Sequence, residues 1–141
     1  MGFTEAVRSV FSNYATFAGR ARRAEYWWFF LFSLLGNIAA GILDGMFFGF
    51  DAVVEPGEAM YFAPSVIGSI FSLAVFLPSL AVTVRRLHDT GRSGWWMLII
   101  LIPLIGFFVL LYWLVKPGDA GENAYGHDPI MSGGSPVSPR Y

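Results

Sequence analysis

The chain contains no cysteine. Disulfides, thiolate metal sites, cysteine nucleophiles, lipoprotein-type attachment and palmitoylation are thereby excluded. Charge is scarce as well: Asp, Glu, Lys and Arg make up 13% of the 141 residues, against about 25% in an average soluble domain. The formal net charge of -1 implies no general attraction to nucleic acid. No base-reading motif is present either, so no nucleic-acid partner is expected. The stretch Asp51–Met60 has no Lys or Arg at all. The start, Met1-Gly2-Phe3-Thr4-Glu5-Ala6, lacks the Ser or Thr of a myristoylation signal.

What the chain has instead is apolar. Hydrophobic residues make up 55%, aromatics 18%, and the mean hydropathy is +0.56. A chain of this length forms one domain, and this composition makes it a bilayer domain. Three apolar runs, 27–50, 61–84 and 95–115, are each long enough to cross a hydrocarbon core of about 30 Å as a helix. A signal peptide is the competing reading of the first run. The long patterned region before it and the length of the run favour a retained helix. Pro78 should kink the second run. Pro103 and Gly106 lie near the middle of the third, which has aromatics at both ends.

Before the first run, Phe3, Val7, Val10, Phe11, Tyr14 and Phe17 recur at helical spacing, which predicts an amphipathic helix over 3–18. It is too short and polar to span, so it lies in the interface or packs on the wet end of the bundle. The expected fold is an all-α membrane protein, with three transmembrane helices preceded by this short interfacial helix. Residues 1–129 form one membrane domain. Within it, 116–129 is a turn-rich cap. The Gly-, Pro- and Ser-rich residues 130–141 form a disordered tail.

Cations near the runs set the orientation. Arg8, Arg20, Arg22 and Arg23 precede the first run, and Arg85, Arg86 and Arg92 separate the second from the third. With three spans, these seven lie in the cytoplasm with the N-terminus. The tail, carrying only Lys116 and Arg140, lies outside. Gly41, Gly45 and Gly49 on the first run, and Ser65, Gly68, Ser69, Ser72 and Ser79 on the second, form small-residue stripes suited to close helix packing. Asn37 and Asp44 lie near the first stripe. They serve packing or line a polar path through the membrane, since an ionisable group inside a span is a functional candidate.

The stretch "VTVRRLHDTGRSGWW", Val82 to Trp96, concentrates the chemistry. On a continuing helix, Asp89 shares a face with Arg85 and Arg86. Gly91 suits a helix stop and Ser93 a cap for the next helix. Arginines at headgroup depth serve topology, or make forked contacts to lipid phosphate. His88 beside Asp89 resembles an oriented base, but no nucleophile is placed with it. "GRSGW" lacks the spacing of a nucleophile elbow. A metal site would need ligands beyond His88 and Asp89, because a second pair, His127 and Asp128, falls across the membrane in this topology. No catalytic residue, metal or cofactor is expected.

The strings "GRARRAEYWW", "LPSLAVTVRRLHDTGRSGWW", "IPLIG" and "PGDAGENAYGHDP" together resemble the DUF805 family of small bacterial inner-membrane proteins, over roughly residues 11–129. The resemblance implies a bacterial inner-membrane protein with several spans and implies no activity. Relatives usually carry Pro where this chain has His127, which weakens a metal reading there. The glycines of the last string suggest a defined cap. If that cap closes over the arginine loop, either the three-span count is wrong or the third run is re-entrant. Because that run is long, uncharged and aromatic-flanked, three full spans are expected.

The functional expectation is a non-enzymatic inner-membrane protein. Its cytoplasmic cluster of Arg20, Arg22, Arg23, Glu25, Arg85, Arg86, His88, Asp89 and Arg92 contacts lipid phosphates or a partner protein. The alternative is a small oligomeric transporter or channel with a polar path along Asn37, Asp44 and the serines of the second span. Expected partners are membrane lipids and, beyond them, a second copy or another membrane protein.

Overall fold

A computed structural model describes residues 1–48 and 65–132. Its elements, in order, are α1 (Phe3–Ser12), α2 (Arg23–Phe48), α3 (Val66–Asp89), a 3-10 helix (Gly94–Leu101), α4 (Ile105–Val115) and the single turn α5 (Pro129–Ser132). Among the described residues no strand occurs beyond an isolated bridge between Asn123 and Gly126. The described regular structure is all-helical, as the periodicity of the sequence leads one to expect.

The helices α2 and α3 are apolar over 26 and 24 residues. At 1.5 Å per residue they are about 39 and 36 Å long, enough to cross a bilayer. Their outer faces are bare: Met46, Phe47 and Leu73 are 69–75% exposed. So large an apolar surface needs lipid or protein to cover it. Between them the polar groups pair. Ser72 Oγ donates to Asn37 Oδ1 at 3.0 Å. Asp44 reaches across to the first turn of α3, where it accepts the N–H groups of Ile67 (2.8 Å) and Gly68 (2.9 Å) and the Ser65 hydroxyl (3.1 Å). It caps a neighbour's N-terminus, satisfying donors that the first turn of α3 leaves without intrahelical partners. Gly49 lies outside the described residues.

Pro78 sits inside α3 and cannot donate to the carbonyl four residues back, that of Ala74. The Tyr14 hydroxyl donates to it instead, at 2.8 Å. Tyr14 follows α1, which ends at Ser12 rather than extending to 18. There the Asn13 amide turns back onto the Ser9 carbonyl at 2.8 Å, a local bond that competes with further helix. The helix packs on the bundle rather than standing apart. Ala6 and Val10 are buried, and Phe3 and Phe11 meet Trp28, Phe29 and Phe32 of α2 edge-on or tilted.

The third apolar run is not one helix, so the expected full span over 95–115 is not formed. A 3-10 arm reaches Leu101, the chain reverses at Ile102–Leu104, and α4 returns. The ring of Trp96 near the start stands 5.6 Å from that of Trp113 near the end. At 11 residues, α4 is about 16 Å long and cannot cross a bilayer. Pro103 causes the break. It removes an N–H and pushes Ile102 into extended backbone (φ -85, ψ 110). Leu104 takes a positive φ of 61 to complete the reversal. Gly106 permits it, because a Cβ there would collide with the Ile99 carbonyl.

The return brings the tail back to the loop that joins α3 to the 3-10 arm. A third full span would have carried it to the opposite face. Residues 116–128 form the turn-rich cap, with Gly121 and Gly126 at positive φ. Residues 129–132, partly assigned to the disordered tail, form one helical turn, and 133–141 lie outside the described residues.

Candidate functional site

The arginine loop is built by a defined helix stop. Thr90 caps α3 and Gly91 follows at φ 75, a conformation that only glycine adopts without strain. The N–H of Arg92 donates to Leu87 O (2.9 Å) and that of Gly91 to His88 O (3.0 Å), which is the Schellman pattern. Ser93 Oγ then accepts the Trp95 N–H at 3.3 Å, capping the 3-10 arm. This keeps α3 helical through Asp89 and places Arg85, Arg86 and Asp89 in the interior.

Asp89 is the centre. Its carboxylate is 2.9 Å from Arg20 and also pairs with Arg86, one turn earlier on the same helix. Arg86 is 0% exposed and Asp89 2%. Each guanidinium completes itself on backbone carbonyls. Arg86 donates to Ala21 O (3.4 Å), Leu114 O (3.2 Å) and Lys116 O. Arg20 donates to Asp119 O (2.5 Å), Gly121 O (2.6 Å) and Gly126 O (3.3 Å). The two arginines thus tie three distant segments to one carboxylate. The cap closes over it: the Asp119 N–H donates to Asp89 O at 2.7 Å. Gly118 passes so close that a Cβ would strike the Asp89 carboxylate.

A second pair stands beside this triad. Arg85 Nη1 donates to Glu25 Oε1 at 2.9 Å, and Ser9 Oγ of α1 donates to the same oxygen at 3.0 Å. Both charged side chains are 5% exposed. Arg85 Nε and Nη2 are buried without a hydrogen-bond partner among the described residues. His88 is fixed at the edge. Its Nδ1 bonds Gly19 O at 2.9 Å, its ring stacks on Tyr125 at 4.1 Å, and its carbonyl accepts from the Asn123 amide at 2.9 Å.

The expected cluster of Arg20, Glu25, Arg85, Arg86, His88 and Asp89 therefore assembles, but inward. All five of its charged members are buried and engaged by one another. Arg22, Arg23 and Arg92 lie outside the triad. Arg23 is exposed and donates to Val115 O at 3.2 Å. Arg92 is half-buried, with its guanidinium 4.5 Å from the Trp113 ring. Arg22 is half-buried. Asn37 and Asp44 are far along α2 from the cluster and join α2 to α3. Reasoning from sequence missed Ser9, Trp27, Asp119, Asn123 and Tyr125 as partners. The string "PGDAGENAYGHDP" was the available signal for the last three. His127 comes to the same side as His88 but is exposed, 3.9 Å from Glu122. Among the described residues no group of three or more His, Cys, Asp or Glu is placed to hold a metal.

The arrangement is a buried ionic lock in which three guanidiniums share two carboxylates. Both carboxylates are engaged by guanidiniums, and the Ser9 hydroxyl donates to that of Glu25.

Comparison with known proteins agrees with the membrane reading. The inner membrane protein YhaH of Escherichia coli K12 is 42% identical over 122 residues, covering 86% of this chain and 93% of its own length. The inner membrane protein YhaI of the same organism is 41% identical over 121 residues, covering 86% and 92%. No solved structure matches. The family described as a protein of unknown function, DUF805, matches residues 14–127, from the end of α1 through the cap, and this chain is a membrane protein belonging to that family.

Proposed function

We propose that this chain is a non-enzymatic inner-membrane protein with two spans and a re-entrant hairpin. Both its N-terminus and its cap lie in the cytoplasm, where they form a rigid platform. The cations on the outside of that platform, Arg8, Arg22, Arg23 and Arg92, meet lipid phosphates. Of the nine Lys and Arg residues, eight lie at one end of the bundle and the ninth, Arg140, is outside the described residues. The stretch Asp51–Met60 between the spans holds acids and no cation. That asymmetry supports a cytoplasmic platform. The observation that carries the reading is the closure of the triad: Arg20, Arg86 and Asp89 are at most 8% exposed and satisfied internally. They build the platform, leaving the outer arginines for ligands.

The polar groups of Asn37 and Asp44 are engaged in bonds between α2 and α3, which supports packing rather than the transporter alternative. The test is thermal unfolding in detergent with and without added phosphatidylglycerol. Arg86→Gln should lower Tm without lipid. Arg8→Gln with Arg22→Gln should leave that Tm in place and reduce the lipid-induced rise. If Arg86→Gln keeps the wild-type Tm but abolishes the lipid-induced rise, the triad is the ligand site and this reading fails.

A further inference from the structure

A groove of about 490 Å³ runs between the wet-end half of α3 and the 3-10 arm. This is within the range of about 300–1,000 Å³ typical of small-molecule sites. Leu80, Val84 and His88 recur every four residues to form one wall, and Trp95 and Leu98 stand on the other. Leu80 and His88 are about 12 Å apart along the helix axis. The groove is graded over that distance. Leu80 and Leu98 line its deep part, and His88 and Ser93 line the end beside the arginine loop.

Three observations choose the occupant. The lip is apolar and open sideways, with Trp95 80% and Leu98 55% exposed, so whatever fills it comes from the phase that surrounds the hairpin. The floor is closed, because Gly94 packs on α3 so tightly that a Cβ would stand 2.7 Å from Val84 Cγ1. A wedge that narrows to such a contact admits a single hydrocarbon chain and not a helix about 10 Å across. The rim is polar. His88 is held by Gly19 O and Tyr125, and Ser93 contributes a hydroxyl. Because the Gly19 carbonyl only accepts, His88 Nδ1 carries the hydrogen, and Nε2 of the neutral ring is left as an acceptor for a hydroxyl.

We propose that this groove binds one membrane phospholipid, with an acyl chain against Leu80, Val84 and Leu98 and its headgroup at the rim, where the Ser93 hydroxyl donates to a phosphate oxygen and His88 Nε2 accepts from a headgroup hydroxyl. The assignment rests on the membrane placement of the hairpin proposed above. It adds to the lipid contacts of that reading one defined site away from the outer cations.

The test is native mass spectrometry of the protein released from detergent micelles containing phosphatidylglycerol. The wild type is expected to retain one phospholipid. Leu98→Trp fills the groove from its exposed wall and should reduce the retained fraction about tenfold. Leu101→Trp, on the same arm but outside the groove and 76% exposed, should retain lipid as the wild type does. Equal retention in Leu98→Trp and wild type overturns the proposal. So does a protein dimer that Leu98→Trp dissociates, since the occupant is then a second copy. Cysteine labelling of topology reads the orientation independently. Lipid retention with a reversed orientation would leave the groove standing and sink the platform.

Discussion

Asp89→Asn is the most informative single change, because it alters charge and little else. The amide keeps the shape and one acceptor oxygen. What it loses is the counter-charge for two guanidiniums on residues that are 0% (Arg86) and 8% (Arg20) exposed. Breaking a buried ion pair from one side costs about 3–5 kcal/mol, most of it the uncompensated charge left behind. With the acceptor retained, the lower end, about 3 kcal/mol, is the appropriate figure. For a domain of this size that corresponds to a fall in Tm of roughly 10 °C. Unfolding of detergent-solubilised protein followed at one scan rate measures it. The cap hangs on the same carboxylate through Arg20, so limited proteolysis should cut within 116–128 in the variant before the wild type. The double variant Asp89→Asn/Arg86→Gln removes one stranded charge and should recover part of the loss, a coupling of about 1–3 kcal/mol. A wild-type Tm with an intact cap in Asp89→Asn would show that the triad is incidental to the fold.

Three further outcomes are expected. In single-cysteine variants of this cysteine-free chain, an impermeant thiol reagent applied from outside should modify Glu55→Cys and not Arg8→Cys or Arg140→Cys; modification of Arg140→Cys alone among the ends would restore three spans. Tyr14→Phe should cost about 1 kcal/mol through the freed Ala74 carbonyl, and little or nothing in a Pro78→Ala background, where the introduced alanine supplies that carbonyl with its own helical N–H; calorimetry or denaturant titration of the four proteins measures the coupling. Asp44→Ala should lower stability by about 1–2 kcal/mol through loss of the cap on α3, and an unchanged denaturation midpoint would count against that bond.

The two long apolar helices and the arginine-rich end were legible from composition and spacing alone. So was the helix stop at Gly91, because a glycine between an apolar run and a serine has few other uses. The third run was not. Hydropathy measures whether a segment prefers hydrocarbon, and both a span and a re-entrant hairpin do. Pro103 and Gly106 were visible, but a proline inside a membrane helix commonly makes only a kink, as Pro78 does in α3. The difference lies in what each proline frees. The carbonyl released by Pro78 meets Tyr14, and α3 continues. At Pro103 the flanking backbone turns instead, with Gly106 letting the return arm lie against Ile99.

The hairpin also accounts for the depth of the arginines. A helix leaves its last carbonyls without intrahelical donors, and α4 ends inside the protein rather than in water. Leu114 O is met by Trp27 Nε1 and Arg86 Nε, both at 3.2 Å, Val115 O by Arg23 and Lys116 O by Arg86. Cationic donors at a helix C-terminus also oppose the negative end of its dipole. A third span ending at the far headgroups would need none of these donors, because water would serve. On the proposed topology, the arginines that bias this end toward the cytoplasm include those a re-entrant helix requires at its return point. Asp89 is what allows two of them to be buried together. On this account Arg23→Gln, Trp27→Phe and Arg86→Gln should each loosen α4 specifically. Hydrogen exchange at the α4 amides should quicken, while that in the middle of α2 stays slow. Uniform quickening along α2 and α4 would mean that these side chains hold the bundle as a whole and not the end of the hairpin.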